Sequence, residues 1–354
     1  MTDQHFHPLT DHRWSTGVAF LGSRLAIMAG AMTWVSEHQL VSAISNAGAF
    51  GVLACGAMNP SQLEGEIRAT QQKTSQPFGV NLIVMHPALS DLVNVCIMMK
   101  TTHVVLAGGL PSREIIAKLK QAGIKILCFA PSAAIGRKLV RDGADALIIE
   151  GHEAGGHVGP VATSVLAQEI LPAIRDVPVF VAGGIGHGEA IAAYLNMGAA
   201  GVQMGTAFVC AEESKAHPAF KRAFVRAAAR DAVVSVQVDP NFRVIPVRAL
   251  ANAGTERFTR TQVDISGKFR AGELTFEEAS LAIEHYWAGA LRRAVVEGDV
   301  ENGSLMAGQS VGLVRKIQPA TSILEELLIQ TELALARDLD YRSQNTPGPS
   351  DPPK

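Results

Sequence analysis

Between about residues 25 and 206 the chain alternates short apolar or β-branched runs with longer stretches whose apolar residues recur at helical spacing. The short runs predict buried strands at Leu25–Ala29, Gly51–Ala54, Gly79–Val84, His103–Leu106, Lys125–Phe129, Ala146–Ile149, Val179–Ala182 and Gly201–Gln203. The longer stretches predict helices, among them Glu37–Ala47, Pro60–Gln72, Ser112–Ala122, Ala133–Asp142 and Glu189–Met197. Several of these end in Ala-Gly or Gly-Ala, where glycine can take the left-handed cap. Consecutive strand–helix units build a parallel sheet with helices over it, and eight such strands close a (β/α)₈ TIM barrel. An open doubly wound sheet would show the same alternation. The polar punctuation favours the barrel, because glycines, Asn81, Glu150 and His157 gather where strands end and helices begin, the rim on which barrel active sites are built.

After Thr206 the pattern breaks. Glu212–Ala229 and Leu274–Glu297 read as helical and Val233–Val247 as extended and irregular, so residues 210–315 are expected to form a smaller, mainly helical cap inserted after strand eight. Pro319–Leu339 carries an apolar stripe through Leu324, Leu327, Leu328 and Leu335. Ser322 stands three residues before Glu325, a capping-box pattern that predicts the last outer helix of the barrel. The expected division is a barrel over 20–209 plus 316–340, a cap over 210–315 and a disordered tail over 342–354, whose prolines replace apolar residues.

A hydrophobic content of 47% with 18% charge suits a large core covered on both faces. The balance of 31 Lys and Arg against 33 Asp and Glu leaves no electrostatic footprint for nucleic acid. Cys55, Cys96, Cys128 and Cys210 are far apart and fall in apolar segments, which predicts reduced core thiols. The polar N-terminus and the lack of any long apolar run point away from a membrane and towards the cytoplasm.

Candidate chemistry lies on three loops. Ala182-Gly183-Gly184-Ile185 follows strand seven and Met204-Gly205-Thr206 follows strand eight, the adjacent pair whose backbone amides hold phosphate in barrel enzymes. Glycines there could also serve only to turn the chain tightly. After strand six, Glu150-Gly151-His152-Glu153-Ala154-Gly155-Gly156-His157-Val158-Gly159 sets four glycines around two histidines, a loop built for close approach to a ligand. Its residues could ligate a metal, but zinc-protease histidines stand four apart on a helix, so no metal is expected. His157 is the candidate for proton transfer and His152 is expected to be a polar rim residue.

Taken in order, Met28-Ala29-Gly30-Ala31-Met32, Ser45-Asn46-Ala47-Gly48, Phe78-Gly79-Val80-Asn81, the Glu150–Gly159 loop, Ala182–Ile185, Gln203–Thr206 and Met306-Ala307-Gly308-Gln309 resemble the nitronate monooxygenase (2-nitropropane dioxygenase) family. That family includes flavin-type enoyl-ACP reductases. The resemblance runs from about residue 20 to 337, and it departs from the family at Ala26 and Ala29, where Pro and Gln are common, and at Ala31. It implies FMN over the barrel mouth, with its phosphate at Gly183, Gly184, Gly205 and Thr206. Gly30, Ala31, Met32, Asn81, Glu150, Gly155, Gly156, Ala182 and Met204 would surround it, and His157 would be catalytic.

The function expected first is oxidation of an alkyl nitronate with O₂ to a carbonyl compound and nitrite, with His157 as base. The alternative is an enoyl-ACP reductase taking electrons from NADH or NADPH, since the Glu153–Gly159 loop and the segment from Arg293 to Val300 look close to that subgroup. A flavin-free phosphate-binding barrel lyase and a non-catalytic flavin carrier are further alternatives. A homodimer stays open, because nothing in the sequence fixes the oligomeric state.

Overall fold

The computed structural model describes residues 8–242 and 244–345. Eight parallel strands close a barrel: β1 (Ile27–Ala29), β2 (Phe50–Ala54), β3 (Phe78–Ile83), β4 (His103–Ala107), β5 (Lys125–Phe129), β6 (Ala146–Glu150), then β8 (Val179–Ala182) and β9 (Gly201–Met204), which pairs back onto β1. All eight expected strands are present. Between β6 and β8 the loop contributes a two-residue strand, β7 (Gly156–His157), which leaves the barrel to join β10 (Ala232–Val234) and β11 (Val247–Leu250) in a separate antiparallel sheet.

The barrel floor is plugged by the helix Ser15–Leu21, whose Phe20 carbonyl accepts hydrogen bonds from His103 Nε2 at 3.0 Å and from Lys125 Nζ. Burial pushes the His103 imidazole down to about 4, so it sits neutral against Phe20 and Phe50. The four cysteines are buried and unpaired, and burial pushes each thiol up to about 12, which makes them inert core residues.

Within 210–315 the chain forms the helices Pro218–Arg226, Ala253–Arg270 and Phe276–Arg292 besides β10 and β11. Phe242, Val247, Phe258 and Trp287 pack there into an apolar cluster separate from the barrel core. The last helix runs Ala320–Asn345 and lies against the helix Gly188–Asn196, where the Gly188 amide donates to Gln330 Oε1 at 2.9 Å. The expected capping box does not form. Ser322 falls inside the helix, Pro319 takes the capping position with no side-chain acceptor, and the Glu213 carboxylate accepts from the Ala320 amide instead. The helix also takes in the first four residues of the expected tail, because their sequence lacks a breaker before Pro347; residues 346–354 lie outside the described residues. Among the described residues no helix is long and apolar enough to cross a membrane.

Candidate active site

Residues paired across parallel strands point to the same face. The register Glu150↔Ala182↔Gln203 on β6, β8 and β9 therefore puts Glu150 and Gln203 in one row at the C-terminal mouth, and Asn81, paired with Ala54 of β2, lies towards the same end of β3. Asn81 and Gln203 are buried and Glu150 is largely so, yet none of the three side chains has a hydrogen-bond partner among the described residues. None of their polar atoms is among those shut off from solvent without a partner, so the three unpaired groups open to the mouth, where they can meet a polar ligand. The rest of the row is small: a Cβ on Gly30 would lie 3.3 Å from the Gln203 side chain. A planar, hydrogen-bonding molecule can therefore lie across the mouth.

Burial pushes the Glu150 carboxyl up to about 7, and only His157 nearby pulls it the other way. A carboxyl raised from its ordinary 4.5 holds its proton more tightly folded than unfolded. The stability it contributes is present below the unfolded value and is lost as pH rises through the folded one. In flavin-free protein Glu150→Gln is expected to add up to roughly 3 kcal/mol at pH 8 and little at pH 5. Thermal unfolding at the two pH values checks this; the same melting shift at both would show that the carboxyl does not ionise in a buried place.

Beside this row lie the glycine turns. Gly183 and Gly184 hold φ of +98° and +71°, so the turn requires glycine on its own account as well as for any ligand. Gly205 has an ordinary backbone and faces Met32, whose Sδ would be 3.4 Å from an added Cβ. Thr206 Oγ1 accepts from the Gly308 amide at 3.1 Å, which leaves its own hydroxyl proton free to donate. A pocket of about 600 Å³ opens next to Gly183 and Gly184, with Tyr194, Ser310, Arg226 and Arg315 on its walls.

The β6 loop is held from three sides. Gly155 packs so tightly on Ala307 and Gly308 that a Cβ there would come within 2.5 Å of their backbone. The buried Arg248 donates from Nε and Nη2 to the His152 carbonyl and from Nη1 to that of Ala232. Glu153 accepts from the Thr163 amide and hydroxyl at 2.8 and 2.9 Å, and His152 Nδ1 closes the loop on the Gly159 carbonyl at 2.8 Å. His152 thus also clasps the loop on itself. Among the described residues His152, Glu153 and His157 each engage a different partner, and these loop side chains do not converge as metal ligands.

His157 stands at the end of this loop, with β7 registering it against Val247. Its side chain is 44% exposed, and Nε2 lies 3.3 Å from Glu284 Oε1 on the helix Phe276–Arg292. With that nitrogen engaged, Nδ1 is the one available for proton transfer. Across the mouth Trp34 holds a left-handed φ of 67°, a conformation that a bulky side chain adopts only where its surroundings enforce it.

Gly30, Ala31, Met32, Asn81, Glu150, Ala182, Met204, Gly205 and Thr206 lie at or just after the C-terminal ends of their strands, and Gly155, Gly156 and His157 lie on the loop after β6. Gln203, Arg248, Thr163 and Glu284 were not singled out from sequence. Gln203 could have been, since it alternates in phase with Gly201 on an inward strand; Arg248 and Glu284 lie too far along the chain for any local signal.

Comparison with known proteins bears on this site directly. Residues 16–330 match the nitronate monooxygenase family. A curated relative from Mycobacterium tuberculosis, (3aS,4S,5R,7aS)-5-hydroxy-7a-methyl-1-oxo-octahydro-1H-indene-4-carboxyl-CoA dehydrogenase, is 32% identical over 87% of this chain and 93% of its own. Nitronate monooxygenase from Paraburkholderia phytofirmans is 29% identical over 92% of this chain and 96% of its own. Among solved structures, FabK from Thermotoga maritima superposes with a TM-score of 0.82 at 37% identity, covering 92% of this chain and 98% of that one. Nitroalkane oxidase from Streptomyces ansochromogenes gives 0.75 at 27%, covering 91% and 99%. Matched along nearly its whole length in sequence and in fold, the chain belongs to the nitronate monooxygenase family and is a flavin-dependent oxidoreductase.

Proposed function

We propose that the chain binds FMN across the barrel mouth and reduces the α,β double bond of an acyl thioester at the expense of NADH or NADPH. The observation that carries the reading is the set of Asn81, Glu150 and Gln203, whose side chains make no hydrogen bond within the described residues and open to the mouth near His157. That set offers hydrogen bonds to the edge of a flavin ring, and the small residues at Gly30, Ala31 and Ala182 leave room for it. Gly183, Gly184, Gly205 and Thr206 would take the phosphate, and Gly155 and Gly156 bring the β6 loop down on the cofactor. Bound there, FMN supplies the two-electron relay between the nicotinamide and the substrate.

In this reading His157 gives a proton to the α-carbon as the β-carbon receives hydride, so that the double bond is consumed and the electrons balance. Glu284 engages its far nitrogen, and the loop clasps of Arg248, Glu153 and His152 hold the imidazole in place. The rim favours a long substrate over a small anion: Trp34, Met85 and Leu110, on the loops after β1, β3 and β4, are all exposed apolar side chains. The 32% identical relative is named for a carboxyl-CoA substrate, which supports the same choice. Nitronate oxidation is the second reading, favoured by the nitronate monooxygenase relative. Under it His157 removes the proton from a neutral nitroalkane. A reduced nicotinamide donor fits the cytoplasm.

Steady-state turnover separates the two. The account expects consumption of NADH or NADPH that depends on a 2-enoyl thioester. Nitrite release from a nitronate in air, with no thioester-dependent consumption, would replace it by the second reading.

A further inference from the structure

The helix Phe276–Arg292 touches the barrel rim at two separate points. Glu284 meets His157 in the loop after β6, and the guanidinium of Arg292 lies 6.0 Å from the ring centre of Trp34 in the loop after β1. Around the barrel β6 and β1 are separated by β8 and β9, so the helix bridges these two loops along the β8–β9 side of the mouth. The span from Glu284 to Arg292 is about 12 Å along an α-helix.

What this helix presents to the mouth follows from spacing. Ile283 and Trp287 are buried in the apolar cluster beneath the helix. Leu281, Glu284, His285, Ala288 and Arg292 recur at i, i+3, i+4, i+7 and i+11 and share the other stripe. Because Glu284 and Arg292 both reach the rim, Ala288, four residues from each, faces the gap between them. Ala288 is exposed, and so is Leu281 one turn before Glu284.

We propose that Ala288 sets the length of acyl chain the site accepts. Its methyl group leaves a passage between helix and rim through which a chain anchored near His157 leaves the mouth, with Trp34 as its apolar wall. A larger side chain at 288 closes the passage without touching the flavin site. The inference rests on the thioester reading.

The test uses Ala288→Leu and Ala288→Trp in flavin-loaded full-length protein, with 2-enoyl-CoA esters from crotonyl-CoA to dodecenoyl-CoA. Since position 288 is exposed, flavin content and melting temperature are expected to stay at wild-type values, and the leucine variant covers the case of a misfolded tryptophan variant. kcat/KM for crotonyl-CoA should hold, while that for dodecenoyl-CoA falls roughly 10-fold with leucine and further with tryptophan. A chain-length profile unchanged from wild type, or an equal loss at every length, overturns the role of Ala288. Failure of the wild type to turn over any enoyl-CoA overturns the thioester reading and this inference together.

Discussion

Gly205→Val is expected to weaken FMN binding roughly 10- to 100-fold while leaving the barrel folded, which corresponds to about 1–3 kcal/mol of steric misfit. The position discriminates because Gly205 has an ordinary backbone conformation and its added Cβ would meet only the flexible Met32 thioether at 3.4 Å. Gly184 is less informative: with φ at +71° and the Glu153 Cβ 2.9 Å from any new Cβ, a substitution there strains the fold whatever it does to the cofactor. The check is titration of apoprotein with FMN, read by quenching of flavin fluorescence, beside a melting curve. Undiminished affinity would remove Gly205 from the cofactor site.

His157→Asn is expected to keep FMN bound and to lower thioester reduction by roughly 10²-fold or more, the usual consequence of losing a general acid or base. Asparagine keeps a similar shape and some hydrogen bonding towards Glu284 but cannot hand over a proton. The loss should fall on reoxidation of reduced flavin by the enoyl substrate, with reduction by NADH or NADPH close to wild type. Were nitronate chemistry the activity, the same variant would lose turnover of a neutral nitroalkane and largely keep that of the preformed nitronate. Wild-type rates in all these steps would make His157 structural.

The barrel was legible because its signals are local. Most strands are short apolar runs ended by glycine or a polar residue, and β3 to Asn81 and β6 to Glu150 showed in sequence where the mouth would be. The glycine turns after β8 and β9 were equally plain. What the sequence withheld depends on partners distant along the chain. Glu284 lies 127 residues from His157, and Arg248 lies 96 from the His152 carbonyl it clasps. Neither contact leaves a periodic trace. The capping box at Ser322 failed for a related reason, since the helix end is satisfied by Glu213 from another part of the fold. Gln203 is different: its direction follows from the alternation of β9, and its importance shows only once the register puts it in one row with Glu150 through Ala182.

The central claim, a flavin at this mouth passing electrons from a nicotinamide to an acyl thioester, is tested most directly by anaerobic mixing of the FMN-loaded protein. NADH or NADPH should bleach the flavin absorbance, and a 2-enoyl-CoA added without oxygen should restore it with formation of one equivalent of saturated thioester. A flavin that neither nicotinamide bleaches, and that is bleached only by an alkyl nitronate, would contradict the claim.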